Sequence, residues 1–417
     1  GKILGVPVLI YLLVLAAIPF HIFTGISGNI PFGNILCFYL MLGASCIFFY
    51  SIASLFGIFG GSAFSGFKPW LGSGLVLLFL WINVPISYTN SYHNYIAFFR
   101  LFSPHDITNY LFSNLLDLNS SLEDLEFFYL ALGKSFFAVV AIHLFNYALW
   151  TYWAWQGLRR CFRNPNATIF SKQQSYLIVV SFQVMIIGFY VSEDYTRWSG
   201  FYEGILSLYA WNLFLILPLF ALLLPHRQAI QDWARFRHHN NANSANLSKK
   251  SLLSELIFGE KSPAILAIAI DLLIAASTFV VLFVLANIEN SNPNNTILWI
   301  LSTLLIFISL ITIYATIAQI MLMLKNSKRT LWAMGTVSAA IILPIVVLGI
   351  LTVHQSNILW LFTVAFWFSA EHSTVPNIFT AFLCQVVILG LLNRYLIRQV
   401  RLAGESATKA LFSQAKV

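Results

Sequence analysis

NILWLFTVAFWFSAEHSTVPN, residues 357–377, decides how the rest of the chain is read. Its apolar part, Ile358 to Phe368, is too short to cross a bilayer, because a helix rises about 1.5 Å per residue and a span takes about 20 residues. Apolar stretches of full length lie on both sides of it. The segment therefore forces a choice between a crossing, a helix resting on the membrane surface, and an element that dips in and returns.

Composition fixes the solvent. With 59% hydrophobic and 9% charged residues over 417 positions, and a mean hydropathy of +0.79, the chain lies far from soluble globules, where about 25% of residues are charged. It reads as an all-α polytopic membrane protein surrounded by lipid. The 23 Lys+Arg against 15 Asp+Glu give +8, which fits basic cytoplasmic loops and does not call for nucleic acid. Cys37, Cys46, Cys161 and Cys384 are scattered, and such spacing forms neither a disulfide framework nor a thiolate metal site. The opening Gly-Lys, followed at once by a long apolar run, is unlike a signal peptide and suggests that these residues begin partway into a longer protein.

Long apolar windows fall at 3–25, 35–59, 70–89, 127–157, 174–192, 204–224, 263–287, 296–324, 330–353 and 377–396, about ten crossings. Basic residues gather at both ends and in alternate connections: Lys2, Lys68, Arg159 to Lys172, the segment 226–262, Lys325 to Arg329, and Arg394, Arg398 and Arg401. By the positive-inside rule these are cytoplasmic. The other connections, 26–34, 90–126, 192–198 and 287–295, are poor in Lys and Arg and face outward. The protein is then integral to a membrane, by expectation a bacterial inner membrane, with both ends of the chain inside.

This topology bears on the opening segment. If Ile358 to Phe368 crossed, the basic stretch "NRYLIRQVR" would land outside, against the charge rule. A re-entrant element keeps it inside, and its irregular backbone must then pack against helices or line a wet cavity. A short surface helix anchored by Trp360 and Trp367 is the alternative. A similar stretch occurs earlier: "FFRLFSPHD" (98–106) resembles "AFWFSAEHS" (365–373), and each precedes a last long span that ends in basic residues. Aligning the region from Lys2 with that from Lys261 also brings Tyr11 opposite Asp271, with one residue of slip. The expected organisation is an internal duplication, with a first unit at 1–158, lacking its first two spans, and a second at 159–417 that carries the loop 226–262.

Two sites are expected. In "SLLSELIFGEKSP", Leu252, Leu253, Leu256 and Ile257 have helical spacing ahead of Gly259, a short amphipathic helix with a stop signal. It serves either as a docking face or as a helix floating on the inner surface. The polar stretch before it, "RHHNNANSANLSKK", reads as mobile. Inside a span, Asp271 sits about two turns from the helix start, where a charge is expensive. It either lines a pathway, together with Tyr11, or fastens two helices as a neutral group. Beyond the breaks in the half-helices, His105 and Asp106, and Glu371 and His372, can cap freed backbone groups or hold water.

"GKILG" at residues 1–5 is similar to the Gly-Lys-Leu-Leu-Gly that opens the third span of ABC-2 type transporter permeases, and the half-helix before each final span resembles theirs. The chain resembles a cyanobacterial branch of that family in which two permease units are fused. The resemblance implies export of a substrate that the sequence does not identify, driven by ATP-Mg hydrolysed on separate cytoplasmic ATP-binding cassette subunits. It places a coupling helix in the loop 226–262 and an elbow at Arg159 to Leu177, although a plain basic connector fits the latter too. In an ATP-driven exporter His105, Asp106, Glu371 and His372 would form an outer gate. No cofactor is expected in this chain. Its nearest approach to a P-loop, Gly61 to Gly66, is followed by Phe67-Lys68-Pro69 and lacks the Gly-Lys-Ser/Thr that would hold phosphate. No HExxH, GxSxG or paired-carboxylate motif supports an enzyme. A secondary transporter, or a non-transporting subunit of a membrane complex, would also fit the composition.

Overall fold

The computed structural model describes residues 8–28, 31–58, 98, 100–115, 125–164, 167–191, 198–225, 227–243, 248–289, 293–326, 328–351, 358–370 and 373–414. The expected span at 70–89 lies outside them, as do Glu371, His372 and the side chain of Tyr11. The described chain is helical: α1 (Val8–Ser27), α2 (Phe32–Ile58), α3 (Pro104–Leu115), α4 (Phe136–Arg163), α5 (Lys172–Tyr190), α6 (Trp198–Leu223), α7 (Arg227–Asn243), α8 (Ser248–Phe258), α9 (Ile265–Glu289), α10 (Pro293–Leu322), α11 (Arg329–Ile350), α12 (Trp367–Ala370) and α13 (Val375–Gln414). Eight of these contain stretches long and apolar enough to cross a membrane. Their outward faces carry large apolar side chains, such as Leu343, Ile350, Val387 and Leu391. Several polar side chains, among them Gln183, Asn212, Thr278 and Gln385, are buried, an arrangement that lipid favours. The chain is an all-α polytopic integral membrane protein.

The fourth expected span starts later than its apolar letters suggest. Residues 126–131 form a two-stranded hairpin, Glu126 opposite Ala131 and Phe127 opposite Leu130, and α4 begins only at Phe136. Phe128 and Tyr129 at its tip have φ of 49° and 61°. Those values suit a tight hairpin turn but are costly for bulky residues. What fixes the hairpin is Gly188 on α5: its carbonyl accepts from Phe128 N at 2.7 Å, and the Phe127 ring occupies the space a Cβ at Gly188 would need.

The described residues divide into two compact units, 1–158 with 185–193, and 159–184 with 194–417. In the first, α2 packs against α1 and α3, with a hydrogen bond between Tyr39 Oη and His21 Nδ1 at 2.7 Å. The Phe48 ring of α2 stacks on Tyr147 of α4, ring centres 5.2 Å apart. In the second, α10 is the central and most buried span. It is flanked by α6, α9, α11 and α13.

Helices α7 and α8 are too polar to cross. The stretch read as mobile is helical up to Asn243, because α7 packs along α13 and its Arg237 Nε pairs with Glu255 Oε2 of α8 at 3.0 Å. The last helix is likewise longer than the expected 377–396. Its 40 residues extend about 60 Å, roughly twice the hydrocarbon thickness, so much of it lies beyond the apolar stretch that ends at Leu402.

Candidate functional site

The expected half-helix, Ile358 to Phe368, is not one continuous helix. It is a 3-10 turn at Ile358–Phe362, a run of turns, and the four residues of α12. Leu361, Thr363, Phe366, Ser369 and Ala370 are all buried in the second unit. Broken backbone inside apolar surroundings leaves carbonyls without partners, so other side chains must supply donors. Gln385 Nε2 on α13 donates to Leu361 O at 2.9 Å, and its Oε1 accepts from the Ser309 hydroxyl of α10. Trp299 Nε1 donates to Ala370 O at 2.9 Å. Phe366 meets the Tyr209 ring edge-on at 5.1 Å, and Tyr209 in turn donates to Thr303 Oγ1 at 2.9 Å.

The first unit uses the same device. At the break before α3, Leu101 O accepts from Asn146 Nδ2 of α4 at 3.2 Å, while Phe102 lies among Phe48, Phe98 and Trp150. In each unit a carboxamide on the last long span holds a leucine carbonyl of the broken element. The registers differ, since the alignment places Leu101 opposite Phe368. Ser103 caps α3 by accepting from Asp106 N at 3.3 Å, and Pro104 follows at the first helical position. Asp106 is turned inward and buried. Burial raises its carboxyl above the ordinary range, opposed by the Arg100 charge, the Ser103 hydrogen bond and His105. His105 is half-buried and bonded to Asn109 at 3.0 Å. Of the four expected gate residues, these two are described, and Asp106 serves the helix start.

A ladder of polar side chains joins three spans of the second unit. Thr278 donates to Gln183 Oε1 at 2.8 Å, Gln183 Nε2 to Asn212 Oδ1 at 2.8 Å, and Asn212 Nδ2 to Leu208 O at 2.9 Å. All three side chains are buried. Asp271 lies nearer the start of α9. Both its oxygens are buried without a hydrogen bond, and Ser175, which faces it from α5, donates its proton to Lys172 O at 2.8 Å. On α10, Gln319 and the Tyr314 hydroxyl are likewise buried without hydrogen bonds. Such groups are costly in apolar surroundings and mark either a polar route or sites for bound water. No three His, Cys, Asp or Glu side chains among the described residues converge as metal ligands.

The amphipathic helix expected before Gly259 is α8. Gly259 ends it: its N–H bonds Glu255 O at 2.7 Å, and any Cβ there would collide with the same oxygen. The four expected docking residues divide. Leu253 is 59% and Leu252 38% exposed, whereas Leu256 and Ile257 are half-buried. Phe258 is also exposed, at 51%. The other side of α8 is fastened through Glu255, which accepts from Trp233 Nε1 at 3.0 Å and pairs with Arg237. Near the expected elbow, α4 runs unbroken to Arg163, and Arg160 pairs with Glu260 at 2.7 Å. Ser171 and Gln174 then form a capping box at α5, a signal legible in "SKQQ" that the sequence reading passed over.

Comparison of the chain with protein-family models, with curated proteins and with solved structures finds no match.

Proposed function

We propose that this chain is the membrane permease of an ATP-driven exporter of the ABC-2 type, with hydrolysis carried out by separate cytoplasmic ATP-binding cassette subunits. The observation that carries the reading is α8. A short helix outside the spans leaves Leu252, Leu253 and Phe258 exposed, while the carbonyls of its last turn are tied to the start of a membrane helix, α5. That is the construction a partner needs in order to push on a membrane domain. Two broken elements, each held by a carboxamide of a last long span, add support for two related permease units. In this reading they are re-entrant, dip from the outer face and close the exit at rest. The test is co-expression with a candidate ATP-binding cassette subunit. Co-purification, with ATP hydrolysis that responds to the permease, supports the reading, and failure of every such subunit to bind overturns it.

Asp271 favours a second reading, a secondary transporter. A buried carboxyl without a hydrogen bond is what an ion- or proton-coupled carrier would place inside a span. In that case purified protein in vesicles would move substrate down an ion gradient without any ATPase, and Asp271→Asn would abolish the movement.

A further inference from the structure

Lys172 is oddly placed for a lysine. It opens α5, where the helix dipole disfavours a cation, and it is 3% exposed although a buried ammonium is costly. Its surroundings explain the placement. The three protons of Nζ meet three acceptors, one on α8 and two on the connector that leads to α9: Leu256 O at 2.7 Å, Ser262 Oγ at 2.6 Å and Pro263 O at 3.0 Å. An ammonium has three donors and no acceptor, so its capacity is filled.

The neighbouring bonds complete the joint. One turn further along α5, Tyr176 Oη donates to Ile257 O at 2.8 Å. Ser262 Oγ, while accepting from Lys172, points its own proton at Glu255 O, 2.6 Å away, and Gly259 O, 2.9 Å away. Of the last-turn carbonyls, which a helix end leaves without partners further along the helix, those of Leu256 and Ile257 are taken up by the start of α5, and that of Glu255 by Gly259 N and by Ser262 in the connector to α9. At the C-terminal end of α8 a cation is electrostatically favoured. Lys172 thus serves α8 at the expense of its own helix.

We propose that Lys172 is a positioning residue that makes the helix Ser248–Phe258 and the first turns of Lys172–Tyr190 and Ile265–Glu289 one mechanical body, so that force on the Leu252, Leu253 and Phe258 face reaches the membrane segment. The inference rests on the permease reading for the source of the force, but the joint itself can be tested without a partner. In the purified full chain, hydrogen exchange is measured on the amides of 248–258 for wild type, Lys172→Met and, as a milder change that removes only the Ile257 bond, Tyr176→Phe. Losing a charge-assisted bond is expected to raise exchange of 248–258 about tenfold or more in Lys172→Met, with the mid-span amides of 177–183 and 273–285 unchanged. Tyr176→Phe is expected to give a smaller rise. Unchanged exchange of 248–258 in both variants overturns the joint. With the ATP-binding partner present, Lys172→Met is expected to co-purify with it as wild type does but to lose about tenfold of the permease-dependent ATP hydrolysis, and Lys172→Arg to restore part of it. Hydrolysis at wild-type level with α8 loosened would show that force does not pass through Lys172. Failure of the wild-type chain itself to bind any partner would instead count against the permease reading and leave the exchange result standing.

Discussion

Gln385 and Gly188 show how much can rest on one side chain, or on the lack of one. Gln385 satisfies Leu361 O and accepts from Ser309, joining the broken element to α10 and α13. Gln385→Leu keeps the volume but leaves a buried carbonyl and a buried hydroxyl without it, and is expected to destabilise by about 1–3 kcal/mol. A fall in the detergent melting temperature is the measurement, and an unchanged value would show the bond to be dispensable. Gly188→Ala drives a methyl into the Phe127 ring, with an expected cost of about 1–3 kcal/mol. Phe127→Ala should remove most of that difference in a double mutant, because the clash is the cause. Neither role was legible in the sequence. A glutamine in an apolar helix gives no hint of which carbonyl it will meet 24 residues away, and Gly188 stands in a run that looks like any other span.

Among the elements, legibility followed periodicity and length. Most spans begin and end within a few residues of the apolar windows, because roughly 20 apolar residues have few other solutions. Where the sequence misleads, a local tertiary contact has overruled it: the hairpin at 126–131 is held by Gly188, and α7 is helical through "RHHNNAN" because it lies against α13. The α8 helix was foreseen, but its exposed residues were not, since five apolar residues in eleven cannot say which of them the connector will cover. Leu253 is the most exposed of them, so Leu253→Asp is expected to lower capture of an ATP-binding partner about tenfold or more while leaving the melting temperature within about 1 °C. Binding at wild-type level would remove α8 as the docking face.

For the whole molecule, the distribution of Lys and Arg makes the firmest statement about orientation. The segment 226–262 and the basic stretch from Arg394 are expected to share one side of the membrane, the cytoplasmic one. In a background where Cys37, Cys46, Cys161 and Cys384 are replaced by serine, Asn243→Cys should resist an impermeant thiol reagent in intact cells and react once the cells are opened. Labelling from outside would invert the topology. The expected duplication has in its favour the order of elements and the Leu–carboxamide device found in each unit. Order survives where sequence similarity fades, because apolar positions in lipid accept many residues of similar volume.

The carboxamide device also sets a timetable for biosynthesis. Leu361 O is made 24 residues before the Gln385 that satisfies it, and Leu101 O 45 residues before Asn146. At about 5–20 residues per second, each nascent broken element waits on the order of seconds for its partner. During that interval the carbonyl lacks the carboxamide donor that later satisfies it. A chain stopped after Thr380 should therefore be degraded much faster in pulse-chase than one stopped after Leu402, which already carries Gln385, so that in each unit the last span acts as the signal that synthesis has succeeded.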